Sequence, residues 1–231
     1  MNILKTILLG AAASVAMGSA ALAQDSSDFS LAFNVGAATD YAFRGVSQTD
    51  SVGQIFAGAD ATLYGKGYVG AWVSNVDFGN NTKLEYDLYA GVKPTIGPVN
   101  LDLGVIYYGY TNQPKNSSEA YTEWKVAGST AVGPGTVGAA VYYSNDFFGG
   151  TGNATYYELN GSMPIADKLS VSGAVGKQQV VGPADYTTWN LGLGYAVNDH
   201  IGLDLRYWDT DQHGFGDIYK SRVVVGVKAT F

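Results

Sequence analysis

The feature that most constrains this chain is a period-two alternation of apolar and polar side chains, sustained over segments of about ten residues. In LEYDLYAGVK (residues 84–93), Leu84, Tyr86, Leu88, Ala90 and Val92 share one face, and Glu85, Asp87, Tyr89, Gly91 and Lys93 share the other. In VNLDLGVIY, Val99, Leu101, Leu103, Val105 and Tyr107 oppose Asn100, Asp102, Gly104 and Ile106. In IGLDLRYW, Ile201, Leu203, Leu205 and Tyr207 oppose Gly202, Asp204, Arg206 and Trp208. Each reads as a strand with one apolar face.

The same reading predicts twelve strands, at 29–42, 54–63, 68–77, 83–93, 99–110, 119–130, 136–145, 154–163, 169–178, 186–197, 200–209 and 218–231. Strands in soluble proteins peak near five or six residues, whereas a tilted strand needs roughly 9–11 to cross a bilayer. In the third segment the valines Val69 and Val73 are expected to point outward, with Asn75 and Asp77 beyond the membrane. Short and long connections alternate. Tight turns fall around 64–67, 95–98, 132–135, 165–168 and 198–199, and longer polar loops at 43–53, 78–82, 111–118, 146–153, 179–185 and 210–217. Six long and five short connections are what an even-stranded, up-and-down barrel requires when both chain ends lie on its short-turn side. Counts of ten or fourteen strands need only small boundary shifts.

Composition excludes the competing classes. Charged residues make up 14% of the chain, well below the roughly 25% usual in soluble domains, yet hydropathy averages only +0.01. No apolar run of transmembrane-helix length exists beyond the N-terminus. At the N-terminus, Lys5, the apolar stretch from Ile7 to Met17 and Ala21-Leu22-Ala23 make a secretory signal with cleavage expected near Ala23, leaving 24–231 as one domain. Net charge is −7, which disfavours nucleic acid as a partner, and the absence of cysteine excludes disulfides and thiolate chemistry.

A secreted β-sandwich also alternates. Against it, the polar face is rich in Gly, Ser and Asn, as a crowded lumen requires, and aromatics gather near the long loops: Tyr107, Tyr110, Trp124, Tyr142, Tyr143, Tyr157, Trp189 and Tyr207. The chain ends on VVVGVKATF, and terminal Phe231 is expected to signal to the barrel assembly machinery. The fold class is therefore all-β, a transmembrane antiparallel barrel of an outer membrane.

Three stretches narrow this further. TDYAFRGVSQTD (39–50), YVGAWVSNVDF (68–78) and LEYDLYAGVK resemble the TorF family of proteobacterial porins, most closely around Tyr41, Phe43-Arg44-Gly45, Ser47-Gln48-Thr49, Trp72, Ser74-Asn75-Val76-Asp77 and Tyr89-Ala90-Gly91. The resemblance implies an outer-membrane channel, without a named solute and without defined catalytic or binding residues.

Candidate chemistry is sparse. Gly133 to Gly138 spells G-x-G-x-x-G, but a strand rather than a helix follows it, so it reads as a Gly-Pro turn. The N-x-S/T tripeptides at Asn80, Asn116, Asn153 and Asn160 are expected by chance. His200 and His213 are assigned to opposite ends of the barrel and cannot share a metal or a catalytic centre, so no cofactor and no metal are expected. A barrel-embedded hydrolase would need a nucleophile fixed beside His213, and none is evident; the acids Asp209, Asp211 and Asp217 around it read as a solvated loop.

By parity the lumen collects Asp60, Glu85, Asp87, Asp102, Glu123, Glu158 and Asp204 against Lys83, Lys93, Lys125, Arg206, Arg222 and Lys228. These charges either line a watery pore or brace the interior as ion pairs. Arg44 continues the inward parity of the first strand into the first long loop. It is expected at a constriction facing Asp60 or Glu85, setting selectivity or pinning the loop to the wall. Acids at strand ends and loops, Asp40, Asp50, Asp77, Asp146, Asp185, Asp209, Asp211 and Asp217, predict mild cation preference at the mouth. The function expected is a narrow channel for small hydrophilic solutes, in contact with outer-membrane lipid and with lipopolysaccharide through Lys115 or Lys220. A non-conducting structural or adhesive barrel is the alternative.

Overall fold

The computed structural model describes residues 28–231. The signal segment 1–23 lies outside the described residues. Twelve strands form one closed antiparallel barrel: β1 (Phe29–Ala38), β2 (Gln54–Leu63), β3 (Gly67–Asn75), β4 (Leu84–Val92), β5 (Val99–Tyr110), β6 (Tyr121–Val132), β7 (Gly135–Ser144), β8 (Ala154–Ala166), β9 (Leu169–Val180), β10 (Tyr186–Ala196), β11 (Ile201–Thr210) and β12 (Arg222–Thr230). Each strand pairs with its sequence neighbours, and β1 pairs with β12 from Asn34↔Thr230 to Ala38↔Gly226, so no edge is left open. The strand count is twelve, not ten or fourteen.

Alternation decides which way each side chain faces. Leu31, Val126, Leu159, Leu191, Leu205 and Val223 stand exposed on the outer wall, whereas inward-facing Glu85, Asp87, Glu123, Lys125, Asp204 and Arg206 are buried. A soluble protein has the reverse arrangement, and an apolar outer surface of this extent is stable only against lipid. The outward valines Val69 and Val73 of β3 follow the sequence reading, with Trp72 inward.

Of the eight aromatics assigned to the membrane boundary, Tyr107, Trp124, Tyr143, Tyr157, Trp189 and Tyr207 do face outward. Tyr110 and Tyr142 do not; they are buried in the lumen. The reason is the strand period itself: Tyr142 and Tyr143 are adjacent and must point to opposite faces. Inside, Tyr41, Phe56, Trp72, Tyr108, Tyr110, Tyr121, Tyr142 and Tyr156 form the central cluster, with Phe43, Phe147 and Phe148 packed on it. Room for these rings comes from facing glycines: a Cβ on Gly176 would lie 2.1 Å from the Tyr156 hydroxyl.

The sequence-predicted first strand, 29–42, ends four residues early. From Thr39 the chain turns into the barrel and forms a small hairpin with arms Ala42–Phe43 and Val46–Ser47 before leaving at Gly53. The last strand begins at Arg222 rather than 218, because 217–219 curl into a 3₁₀ turn over the loop end.

Candidate functional site

The inner hairpin is the centre of the site. Its two tip residues, Arg44 and Gly45, have φ of 49° and 83°, the double positive φ of the tight hairpin turns whose twist matches their strands. Gly45 is required twice over, since a Cβ there would also meet Thr188 Oγ1 of β10 at 2.2 Å. The turn therefore pushes Arg44 across the lumen to the opposite wall.

There Arg44 donates two hydrogen bonds to Glu123 of β6, Nη1 to Oε1 at 2.8 Å and Nη2 to Oε2 at 2.7 Å, and a third to Gln178 Oε1 of β9 at 3.0 Å. Its guanidinium also lies 4.2 Å from the Tyr156 ring centroid, 4.9 Å from Tyr142 and 4.7 Å from Phe43. Arg44 is 4% and Glu123 1% exposed, so the pair is dry and forked, the geometry in which a charge-assisted pair is strongest. The partner of Arg44 is thus Glu123, not Asp60 or Glu85. The hairpin reaches farther than the first strand's own neighbourhood, and both expected acids are engaged elsewhere: Asp60 accepts from Tyr89 at 2.6 Å and Glu85 from Tyr41 at 2.6 Å.

A second group holds the base of the hairpin. Asp40 accepts from Ser47 Oγ at 2.6 Å, Thr49 Oγ1 at 2.8 Å and Arg222 Nη1 at 2.7 Å. Arg222 in turn donates to the carbonyls of Asp217, Ile218 and Lys220, tying the loop 211–221 to the hairpin. In that loop, Lys220 holds the Asp217 carboxyl below its usual range, first by a hydrogen bond and then by charge. At the hairpin, burial and then the Glu85 and Asp87 carboxylates push the Tyr41 phenol well above its ordinary range.

The remaining candidates divide by height in the barrel. Towards the long loops, Glu85, Asp87 and Glu123 share the lumen with Arg44, and Oδ1 of buried Asp87 has no hydrogen-bond partner among the described residues. Towards the short turns, Lys125 pairs with Asp102 at 2.6 Å, and Tyr68 donates to the same Asp102 at 2.7 Å. Arg206 pairs with Asp204 of its own strand at 2.9 Å and reaches Asn190 and Ser172. Glu158 accepts from Tyr156 and Asn160, and Asn160 is exposed although it faces inward, so the lumen is open to water at this end. Lys83, assigned to the lumen by parity, is exposed beside Asp77 at 3.8 Å, because the strand begins only at Leu84.

His200 and His213 sit at opposite ends, and no cluster of three or more metal-ligating side chains occurs among the described residues. His213 contacts Asp209 at 2.6 Å, and Tyr207 donates to the other oxygen of that carboxylate at 2.8 Å. Phe231 closes the seam through paired backbone bonds with Phe33. Sequence reasoning missed the roles of Asp40, Gln178, Tyr142 and Tyr156. All are inward by parity, but parity does not say what stands opposite across a lumen.

The family model described as a bacterial protein of unknown function (Gcw_chp) matches residues 22–231. The chain belongs to the Gcw_chp family. The match carries that description and does not itself carry the TorF name. No curated protein matches this Gcw_chp chain. Among solved structures it is similar to the KdgM porin, at 8% identity and TM-score 0.62, with 87% of this chain and 99% of that one covered. The KdgM porin in complex with disordered oligogalacturonate gives 7%, 0.63 and the same coverage. The NanC porin gives 10% and 0.59, again over 87% and 99%. At these identities the likeness is one of fold: a closed porin-type barrel.

Proposed function

We propose that this chain is an outer-membrane channel for small hydrophilic solutes, narrowed by its first loop and mildly selective for cations. The observation that carries the reading is the inverted barrel itself, apolar outside and ionised inside, with an Arg44 hairpin folded across its lumen. In this reading residues 1–23 direct export and are removed near Ala23. Short turns face the periplasm, long loops face outward, and Phe231 engages the assembly machinery. Lys115 and Lys220 face lipopolysaccharide, and no enzymatic role is involved. The TorF resemblance of residues 39–50, 68–78 and 84–93 supports the same assignment.

Cation preference follows from what the charges leave over. Arg44, Lys125, Arg206 and Arg222 are each committed to a carboxylate, whereas among the described residues Glu85, Asp87, Asp60 and Glu158 have no cation within salt-bridge distance; of the lumen cations only Lys93 and Lys228 are likewise without a salt bridge, so acids exceed bases among the uncommitted groups. A polyanion such as the oligogalacturonate seen with KdgM is for that reason a poor solute here. A second reading, a closed structural barrel, is favoured by the burial of nearly every inward side chain around the hairpin. Reconstitution into a planar bilayer separates them. The channel reading expects discrete conductance steps and a reversal potential of cation-selective sign in a salt gradient; silence over the full voltage range overturns it.

A further inference from the structure

The groups around the Arg44 guanidinium have an unequal distribution. Phe43 belongs to the hairpin, but Glu123, Gln178, Tyr142 and Tyr156 stand on β6, β9, β7 and β8 of the barrel wall. If the hairpin withdraws, these four remain where they are. They then present a buried carboxylate with both oxygens spaced for a planar fork, an amide oxygen beside it and two ring faces over it. That is a complete receptor for a guanidinium ion, and Arg44 fills it as an internal ligand.

The hairpin is attached in a manner consistent with leaving. Apart from its own internal bonds, the backbone of 40–48 meets the rest of the loop end through Asp77 N donating to Gln48 O. Its other anchors are side chains: Arg44 on Glu123, Tyr41 on Glu85 and Asp40 on Arg222. None of the barrel's strand pairing depends on it. Exposing an unpaired Glu123 among aromatic rings is costly, so the hairpin is released readily only when another cation takes its place.

We propose that the Glu123 chamber is a binding site for guanidinium-bearing solutes, which displace Arg44 and so open the lumen. The site itself stands on geometry; its role in choosing a transported solute rests on the channel reading. Two features set the ligand class. The forked carboxylate favours a planar guanidinium over a compact ammonium, because only the former makes two parallel N–H to oxygen bonds. The carboxylates Asp60 and Glu158, below the hairpin, partly open to water and without a salt-bridged cation, offer a cation a path towards it.

The test uses the absence of native cysteine. Ala42, on the hairpin arm and 3% exposed, is changed to Cys, and its modification by a water-soluble maleimide is timed in the intact, detergent-folded barrel. Methylguanidinium, kept well below denaturing concentrations, should accelerate labelling about tenfold in a saturable manner, the scale of exchanging one charge-assisted pair. Methylurea, its neutral isostere, and sodium chloride at equal ionic strength should not. In Ala42→Cys with Glu123→Gln, labelling should be fast throughout and insensitive to methylguanidinium. Should the Ala42→Cys barrel not fold, Val46→Cys reports the same motion. Equal acceleration by methylurea or salt, no acceleration, or a response that survives Glu123→Gln overturns the receptor. The bilayer recording is scored separately: conductance without a labelling response removes the receptor and leaves the channel, and a labelling response without conductance removes the channel and leaves the receptor.

Discussion

At the scale of single residues, Arg44 and Glu123 form a buried pair across the lumen, and each is costly to lose alone. Arg44→Ala leaves a carboxylate that is 1% exposed without its cation, so a loss of about 3–5 kcal/mol is expected in urea unfolding of the folded barrel. Arg44→Met combined with Glu123→Gln should recover much of it, since the buried charge is then gone. A double variant as unstable as Arg44→Ala would mean that the rings, not the charges, hold the hairpin. Gly45→Ala combines a left-handed φ with a 2.2 Å approach to Thr188, and we expect it to loosen the tip without unfolding the strands. Faster labelling at Ala42→Cys with an unchanged β-signal in circular dichroism would show this. Sequence parity singled out Arg44 as inward-facing, but its partner lies 79 positions away and on the far side of the lumen. Period two says which face a side chain occupies and carries no information about distance across a closed ring.

At the scale of elements, alternation made most of the barrel legible. The strands 54–63 and 99–110 fall where the pattern places them, and the remaining ends shift by a few residues. What alternation concealed was the inner hairpin. Asp40, Ala42 and Arg44 continue the parity of β1, so the sequence reads as a longer strand, while the chain has already left the sheet at Thr39. The cause is tertiary: Asp40 turns inward to meet Ser47, Thr49 and Arg222, groups that local periodicity does not register. Because no wall strand is paired to the hairpin, replacing residues 41–51 with a short polar turn should leave a heat-modifiable folded barrel on electrophoresis. In the bilayer, the same deletion should raise single-channel conductance several-fold; unchanged conductance would place the narrowest section elsewhere.

At the scale of the whole molecule, the apolar exterior and the excess of carboxylates act together. The exposed acids Asp50, Asp146, Asp211 and Asp217 act over a Debye length of ~8–10 Å at physiological salt, so cation selectivity should decline as ionic strength rises. Reversal potentials measured at a fixed gradient but increasing total salt check this, and a constant selectivity would assign it to the buried lumen charges instead. Removal of Phe231 should lower the yield of folded barrel in the outer membrane more than it lowers stability once folded, measured by heat modifiability after expression. The seam between β1 and β12 also sets an order of events. It joins the two ends of the described chain, the contact of greatest sequence separation and therefore the slowest to form. The hairpin leaves the wall at this same seam, where Thr39 exchanges hydrogen bonds with Val225 and Asp40 meets Arg222. Until the last strand arrives, the Asp40–Arg222 and Thr39–Val225 contacts do not exist, so a barrel still being assembled holds its hairpin through Arg44, Tyr41 and the Gln48 carbonyl, and the remaining anchors are set by the same step that completes the ring.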